Sequence, residues 1–161
     1  MSLGLVENGA IEVAAVPIDT TGAAVAGDWV SFANYTHCDI VILQGAWAAG
    51  TPAVTLDQTK DATDSGGDSK TLAMANYWTK TGLTGTTWTK TAITSSTFNL
   101  PATANTMTVI PVEASDLDQD NDFDFFQVDI ASPGSNADLI AVAYIFSGPR
   151  FAQAAPPTPI A

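Results

Sequence analysis

The sequence predicts an all-β fold: a single β-sandwich or jelly-roll-like domain with extended N- and C-terminal arms. Threonine, valine, isoleucine and aromatic residues dominate the chain, and these residue types prefer a pleated, half-buried surface. Glycine, proline, asparagine and aspartate separate the apolar runs at short intervals, and helical periodicity is nearly absent. A chain of 161 residues with a hydrophobic fraction of 46% fits one domain with its own core. We therefore expect an N-terminal arm at residues 1–25, a sandwich at 26–148 and a proline-rich arm at 149–161.

The clearest strands are three apolar runs. Residues 39–44 are apolar almost without interruption, as expected for a strand that is covered on both faces, and residues 139–146 predict a second buried strand. Residues 54–59 alternate, which places Val54 and Leu56 inward. These runs predict strands that contribute to the core.

Two further strands carry irregularities. Residues 107–113 include Pro111, which cannot donate to a ladder and therefore predicts an edge position or a bulge. Residues 122–130 alternate through Phe125 and then change phase at Phe126. The change of phase predicts either a bulge or a strand that begins near Phe125.

A repeated tetrapeptide predicts a β-hairpin. Trp-Thr-Lys-Thr at 78–81 returns at 88–91, with two glycines between the copies. A three-residue loop would set Trp78 opposite Trp88, whereas a two- or four-residue loop would place the indoles on opposite faces. We expect at least one of these tryptophans to pack in the core or in a subunit interface; the alternative is an exposed platform that stacks on sugars.

Net charge and hydropathy exclude several classes of partner. The chain has 17 acidic residues against 5 basic ones, a formal net charge of -12. A surface this acidic repels phosphate backbones, so we expect no nucleic-acid partner. No apolar run approaches the ~20 residues of a membrane-spanning helix, and the first residues lack the pattern of a signal peptide. We expect no membrane partner and synthesis in a cytoplasm.

The residues that most often carry catalysis are scarce. His37 is the only histidine and Cys38 the only cysteine, which excludes a site built on several histidines and an intrachain disulfide. No nucleophile elbow, phosphate-binding loop or dinucleotide fingerprint is present. We expect no enzyme activity, no catalytic residues and no cofactor, with His37 serving as a turn or interface residue.

One acidic segment has the chemistry of a cation ligand. Asp116, Asp118, Asp120 and Asp122 alternate along the chain, and carboxylate oxygens are the ligands of Ca²⁺. The helical calcium loop requires glycine at its sixth position, where this segment has Asn121. The favoured interpretation is a solvated turn whose aspartates cap backbone amides, with calcium as the alternative.

The last residues differ from the rest of the chain. Proline fixes φ and removes backbone donors, so residues 149–161 predict an extended segment that cannot enter the interior of a sheet. We expect this arm and the two tryptophans to supply interface residues: Pro149, Arg150, Phe151, Pro156, Pro157, Pro159, Trp78 and Trp88.

Four blocks of sequence, in this order, resemble small head-associated proteins of tailed bacteriophages: 27–35 (Gly-Asp-Trp-Val-Ser-Phe-Ala-Asn-Tyr), 51–61, 112–118, and 139–150 with its ending Tyr-Ile-Phe-Ser-Gly-Pro-Arg. The resemblance implies a virion protein on the capsid exterior, a cement or decoration protein made in the host cytoplasm. It further implies a homo-oligomer, a trimer, that clamps the major capsid protein with its arms.

Two alternatives from other classes remain open. The first is a carbohydrate-binding or adhesin module that uses Trp78, Trp88 or Tyr77 as stacking platforms. The second is a tail or connector component of a phage, which shares the acidic, all-β character.

Overall fold

The computed structural model describes residues 5–82, residues 84–150 and Pro159. One short helix, α1 (Leu5–Asn8), precedes the strands, and two 3₁₀ turns follow the tenth strand, at Ala114–Asp116 and Gln119–Asn121. The strands are β1 Ala10–Asp19, β2 Val25–Ala26, β3 Val30–Ser31, β4 Tyr35–Trp47, β5 Ala53–Thr59, β6 Lys70–Thr71, β7 Asn76–Thr81, β8 Thr89–Ala92, β9 Thr97–Asn99, β10 Thr106–Glu113, β11 Phe125–Ile130 and β12 Asp138–Pro149. None of the helices in this part of the chain is long and apolar enough to span a membrane.

The strands form two antiparallel sheets that pack face to face, which confirms the predicted β-sandwich. Sheet A has the order β1-β12-β4-β10-β7-β8. Its most extensive strand pairing joins β12 to β4. Sheet B has the order β2-β11-β5-β6, with β3 also paired to β11 and β9 to β5. Paired strands that are distant in sequence, such as β1 with β12, tie the two ends of the described chain together.

The core lies between the two sheets and is rich in aromatic rings. Phe126 of sheet B stacks on Phe32 at a centroid distance of 4.9 Å and meets Tyr144 and Phe146 of sheet A edge-on or tilted. Tyr35 packs against Phe146 from the start of β4. These large side chains are almost fully buried, and burial of this kind contributes about 1.5–3 kcal/mol for each side chain.

The expected N-terminal arm is wrong over most of its length. Residues 10–19 form β1, which pairs along β12 from Ala10 opposite Phe146 to Asp19 opposite Leu139. The sequence of β1 alternates poorly because the pairing shifts register between Val13 and Ala15 and again before Ile18. The sandwich therefore begins at residue 10, and β2 at Val25–Ala26 already belongs to sheet B.

The two irregular strands are explained by their neighbours. Pro111 lies in β10 beyond Val109, which is the last residue that pairs with β7, so its missing N–H faces the free edge of β10. The change of phase near Phe126 marks the beginning of β11, since pairing with β5 begins at Phe125.

Candidate interaction surface

The side of sheet A that faces away from the core is mostly apolar. We call it the sheet-A face and define it by the outward side chains of β1, β12, β4, β10, β7 and β8, together with Trp88 just before β8. Its apolar members are Ile11, Val13, Leu139, Ala141, Ala143, Ile145, Val41, Leu43, Met107, Val109, Pro111, Trp78 and Trp88.

Strand register places these side chains in rows across the sheet, because residues directly opposite each other on antiparallel strands point to the same side. The central row runs through Val13, Ala143, Val41, Val109 and Trp78 over five successive strands. A sheet face that meets water normally carries polar side chains at such positions. Over those five strands the central row of the sheet-A face carries none, and Lys90 on β8 is the next residue along it.

Large apolar side chains on this face are exposed to solvent. Val13 is 57% exposed, Leu43 45% and Leu139 41%. Single exposed apolar residues are ordinary on a protein surface, whereas contiguous ones mark places where another molecule binds.

Two concave regions lie on the sheet-A face. A groove of about 410 Å³ runs between Pro17 of β1 and Gly82 at the end of β7, with Leu43, Met107 and Leu139 on its floor. A second hollow of about 350 Å³ lies between Trp78, Trp88 and Val109. The sheet-A face is therefore concave at two places.

The hairpin that carries the tryptophans has a longer connection than the sequence pattern suggested. Trp78 pairs with Lys90 and Thr79 with Thr89, so the connection runs from residue 82 to residue 88. This register leaves Trp78 and Trp88 on the same face, 37% and 41% exposed, and neither packs in the core. The structure therefore does not place either tryptophan in the core of this chain, and the other half of the expectation, a subunit interface, stays a prediction.

The outward side of sheet B has the opposite character. Thr55, Asp57, Gln127 and Asp129 point to solvent there, on β5 and β11. Partial burial raises the pKa of Asp57, and a hydrogen bond with Asp129 and the negative charge of Asp129 raise it further. The outward side of sheet B is therefore polar, whereas the outward side of sheet A is mostly apolar.

A polar cluster lies at one end of the sheet-A face. His37 Nδ1 is 2.8 Å from Glu113 Oε1, and His37 Nε2 is 3.2 Å from Asp39 Oδ1. Partial burial lowers the pKa of His37, but the hydrogen bond with Glu113 and the charge of Asp39 outweigh it and raise the pKa above its ordinary value. The cluster places two carboxylates at the β4–β10 end of the face.

The opposite corner of the face is basic. Lys80 lines the larger groove, and Lys90 Nζ lies 5.4 Å from the centre of the Trp78 ring, within range of a cation–π contact. Lys60 and Lys70 lie elsewhere, against Phe123 and the acidic loops. The sheet-A face therefore has an acidic end and a basic corner with apolar surface between them.

The four aspartates of the candidate calcium segment do not converge. Asp116 accepts a hydrogen bond of 2.8 Å from the backbone N–H of Glu113, and Asp118 pairs with Lys70 and with the amide of Asn121. Asp120 and Asp122 lie in the exposed turn that follows. In the parts of the chain that the structure describes, no three His, Cys, Asp or Glu side chains are arranged to hold a cation.

The predicted interface residues of the C-terminal arm divide into two groups. Pro149 ends β12 opposite Tyr35, and the backbone N–H of Arg150 donates to the carbonyl of Asn34. The carbonyl of Pro159 accepts a hydrogen bond of 3.1 Å from Ser31, and Pro159 is buried. Phe151, Pro156 and Pro157 lie outside the described residues.

Sequence reasoning missed most of the sheet-A face, although a signal was present. The unbroken apolar run of β4 indicates a strand that is covered on both faces, and only its inward side is covered by the core. No protein-family model, no curated protein and no solved structure matches this chain.

Proposed function

We propose that this protein is a virion structural protein of a tailed bacteriophage, a cement or decoration protein of the head, and that the sheet-A face is its assembly surface. The observation that carries the proposal is the asymmetry of the sandwich: contiguous exposed apolar side chains on sheet A and polar ones on sheet B. A protein that works by binding another surface needs such a face, and a free monomer does not.

The size of the sheet-A face agrees with an interface. Six strands about 4.8 Å apart and four rows of same-face residues about 6.8 Å apart cover on the order of 500 Å² before the relief of the side chains is counted. A standard interface buries about 800 Å² on each partner. The projected area of the face is therefore of the same order as one side of a standard interface.

The resemblance of four ordered sequence blocks to head-associated phage proteins supports the virion context. Two of those blocks lie in the structure as parts of sheet A and sheet B: residues 139–150 are β12 with Arg150, and residues 51–61 contain β5. A decoration protein must also stay soluble before it assembles, and the net charge of -12 favours solubility.

Localisation in the particle tests the proposal. Virions of the phage that encodes this chain would be purified and imaged by cryo-electron microscopy, and the sandwich would be fitted to density on the outside of the head. We expect density there that contacts the major capsid protein. Absence of the chain from purified virions contradicts the proposal, and a ring of six or twelve copies around a tail channel selects the tail or connector alternative.

The C-terminal arm provides a second test of the same proposal. A variant that ends at Arg150 loses the hydrogen bond from Ser31 to Pro159 but keeps all twelve strands. We expect it to fold and to bind heads more weakly than the full chain. Equal binding by the two proteins would show that the arm does not contact the shell.

The exposed tryptophans favour a second candidate function, carbohydrate binding. Trp78 and Trp88 line one hollow on the same face, and indole rings in such a place stack on sugar rings. A glycan array probed with the wild-type protein and with Trp88→Ala tests it. Saturable binding that the substitution abolishes supports a sugar site; the cement proposal predicts no glycan signal from either protein.

A further inference from the structure

We propose that the partner of the sheet-A face is a second copy of this chain, which packs face to face about a twofold axis close to Val109. The inference rests on the proposed function in one respect, that this face is the assembly surface. It adds the identity of the partner and the geometry of the contact.

The distribution of charge favours a second copy of the chain as the partner of this face. The whole chain carries -12, so two copies repel each other over most of their surface. Among the described residues, the charged ones on the sheet-A face are the carboxylates Asp19, Asp39 and Glu113, the lysines Lys80 and Lys90, and the imidazole of His37. The face is therefore close to neutral, so two copies can approach each other on this side with little repulsion.

The charges on the sheet-A face are separated into an acidic group and a basic group. Asp39 and Glu113 form the acidic end, while Lys80 and Lys90 form the basic corner of the same face. On the ideal spacings of a sheet, the two groups lie about 17 Å apart, with Val109 and Pro111 near the midpoint. A twofold axis through that midpoint, in the plane of the interface, exchanges the acidic end with the basic corner.

The same axis brings individual residues together. On the ideal lattice it places Asp39 of one copy over Lys80 of the other and Glu113 over Lys90, and it places Trp78 over Pro111. Each pair occurs twice, as an isologous contact requires. The surface is thus complementary to itself in charge, and its apolar centre is covered by an identical apolar centre.

The hollow beside the tryptophans agrees with this arrangement. Trp78, Trp88 and Val109 line it, and its volume is about 350 Å³. In the pair, the Trp78 rings of both copies flank the twofold axis. Tryptophan and apolar side chains at the centre of a contact, with charged pairs around them, are the usual anatomy of a specific interface.

Charge exchange tests the pairing. Sedimentation velocity and equilibrium of the full chain would be measured at roughly 10–500 µM. This range brackets the dissociation constants of weak to moderate dimers. We expect a monomer–dimer equilibrium for the wild type. Lys80→Glu places a carboxylate against Asp39 twice in each dimer, and we expect the dissociation constant of the dimer to rise by about tenfold or more. Asp39→Lys places a second ammonium group against Lys80 and should raise the dissociation constant in the same way.

The combination of the two substitutions is decisive. In the double variant Asp39→Lys/Lys80→Glu, each pair is restored with reversed sign, so we expect dimerisation to return to within about threefold of the wild type. A mixture of the two single variants should form heterodimers in preference to either homodimer. Lys60→Glu, which changes the same charge away from the face, serves as the matched control and should dimerise as the wild type does.

Three results would overturn the pairing: a wild-type monomer throughout the concentration range, a trimer in place of the dimer, or additive losses in the double variant. Thermal unfolding of every variant identifies a loss of fold. If cryo-electron microscopy places the face against capsid protein and the isolated chain is monomeric, the cement proposal stands and the pairing fails. If the chain dimerises as expected and is absent from virions, the pairing stands and the cement proposal fails.

Discussion

Gln44 donates a hydrogen bond of 2.9 Å from Nε2 to Oδ2 of Asp138 inside the sandwich, where β4 and β12 run side by side. Both side chains are buried, Asp138 completely. Among the described residues, the other oxygen of each group, Gln44 Oε1 and Asp138 Oδ1, has no hydrogen-bond partner. A buried carboxylate with one oxygen left without a hydrogen bond destabilises the fold unless the group is protonated.

Asp138→Asn should therefore stabilise the protein at neutral pH. Burial raises the pKa of Asp138, and the hydrogen bond from Gln44 offsets this only in part. Asparagine carries no charge, keeps an oxygen for the Gln44 donor and adds an N–H donor. We expect a gain of about 1–3 kcal/mol in the free energy of unfolding at pH 7.

The pH dependence of that gain has a definite sign. Because the folded pKa of Asp138 is raised, the wild type recovers stability as pH falls through that pKa, and recovery is complete near the unfolded value of about 3.9. The advantage of Asp138→Asn over the wild type should shrink from pH 7 to pH 4, measured by chemical unfolding. Asp124→Asn, at an exposed site, should show no such trend. If the Asp138→Asn protein were less stable than the wild type at pH 7, this account would be contradicted.

Tyr144 links the two sheets through its hydroxyl group. The hydroxyl accepts a hydrogen bond of 3.0 Å from the backbone N–H of Val128 in sheet B and donates one of 3.2 Å to the carbonyl of Asp28. Burial raises the pKa of Tyr144, so the hydroxyl stays protonated and able to donate. Gly27 lies so close that a Cβ atom there would be 2.5 Å from the hydroxyl oxygen.

Tyr144→Phe should lower the free energy of unfolding by about 1–3 kcal/mol, since it leaves a buried backbone donor without its partner. Urea unfolding followed by circular dichroism measures the change. Tyr77→Phe is the matched control, because its ring stacks on Phe98 at 4.0 Å in the wild type and the substitution keeps that ring. Equal stability of Tyr144→Phe and the wild type would show that the hydroxyl does not join the sheets.

The strands of the interior were predictable because their patterns follow directly from burial. The alternation of residues 54–59 places Val54 and Leu56 in the core, as β5 does, and the change of phase near Phe125 marks the beginning of β11. β1 was not predictable in the same way. Its two register shifts interrupt the alternation, so its apolar residues do not follow a period of two.

The full extent of the sheet-A face could not be predicted from its one sequence signal, for a different reason. An apolar run such as that of β4 indicates that both sides of the strand are buried. The sequence does not indicate whether the second side is buried by the same chain or by a partner. The convergence of Val41, Val109 and Trp78 on one row depends on pairing between strands that are distant in sequence. Only the register of sheet A brings them together.

Calcium should have no effect on stability, because the four carboxylates of the candidate segment do not converge and two of them are engaged elsewhere. Asp116 binds the backbone of Glu113, and Asp118 binds Lys70 and Asn121. An ion that binds only the folded state raises the melting temperature. We expect the Tm in excess EDTA and in millimolar CaCl₂ to agree within about 1 °C, with MgCl₂ at equal ionic strength as the control. A calcium-specific rise of several degrees contradicts this account.

His37, the only histidine, should report the state of the acidic end of the sheet-A face. Partial burial lowers its pKa, while the hydrogen bond with Glu113 and the proximity of Asp39 outweigh this and raise it. Protonation of His37 therefore stabilises the fold below the unfolded pKa of about 6.5, and this contribution is lost as pH rises through the folded pKa. An NMR titration of the single imidazole should give a midpoint above about 6.5, and Glu113→Gln should lower that midpoint, since it removes the carboxylate 2.8 Å from Nδ1. Asp120→Asn removes a charge from the exposed turn and should leave the midpoint of His37 unchanged. A wild-type midpoint at or below the ordinary pKa of histidine would mean that burial outweighs both carboxylates.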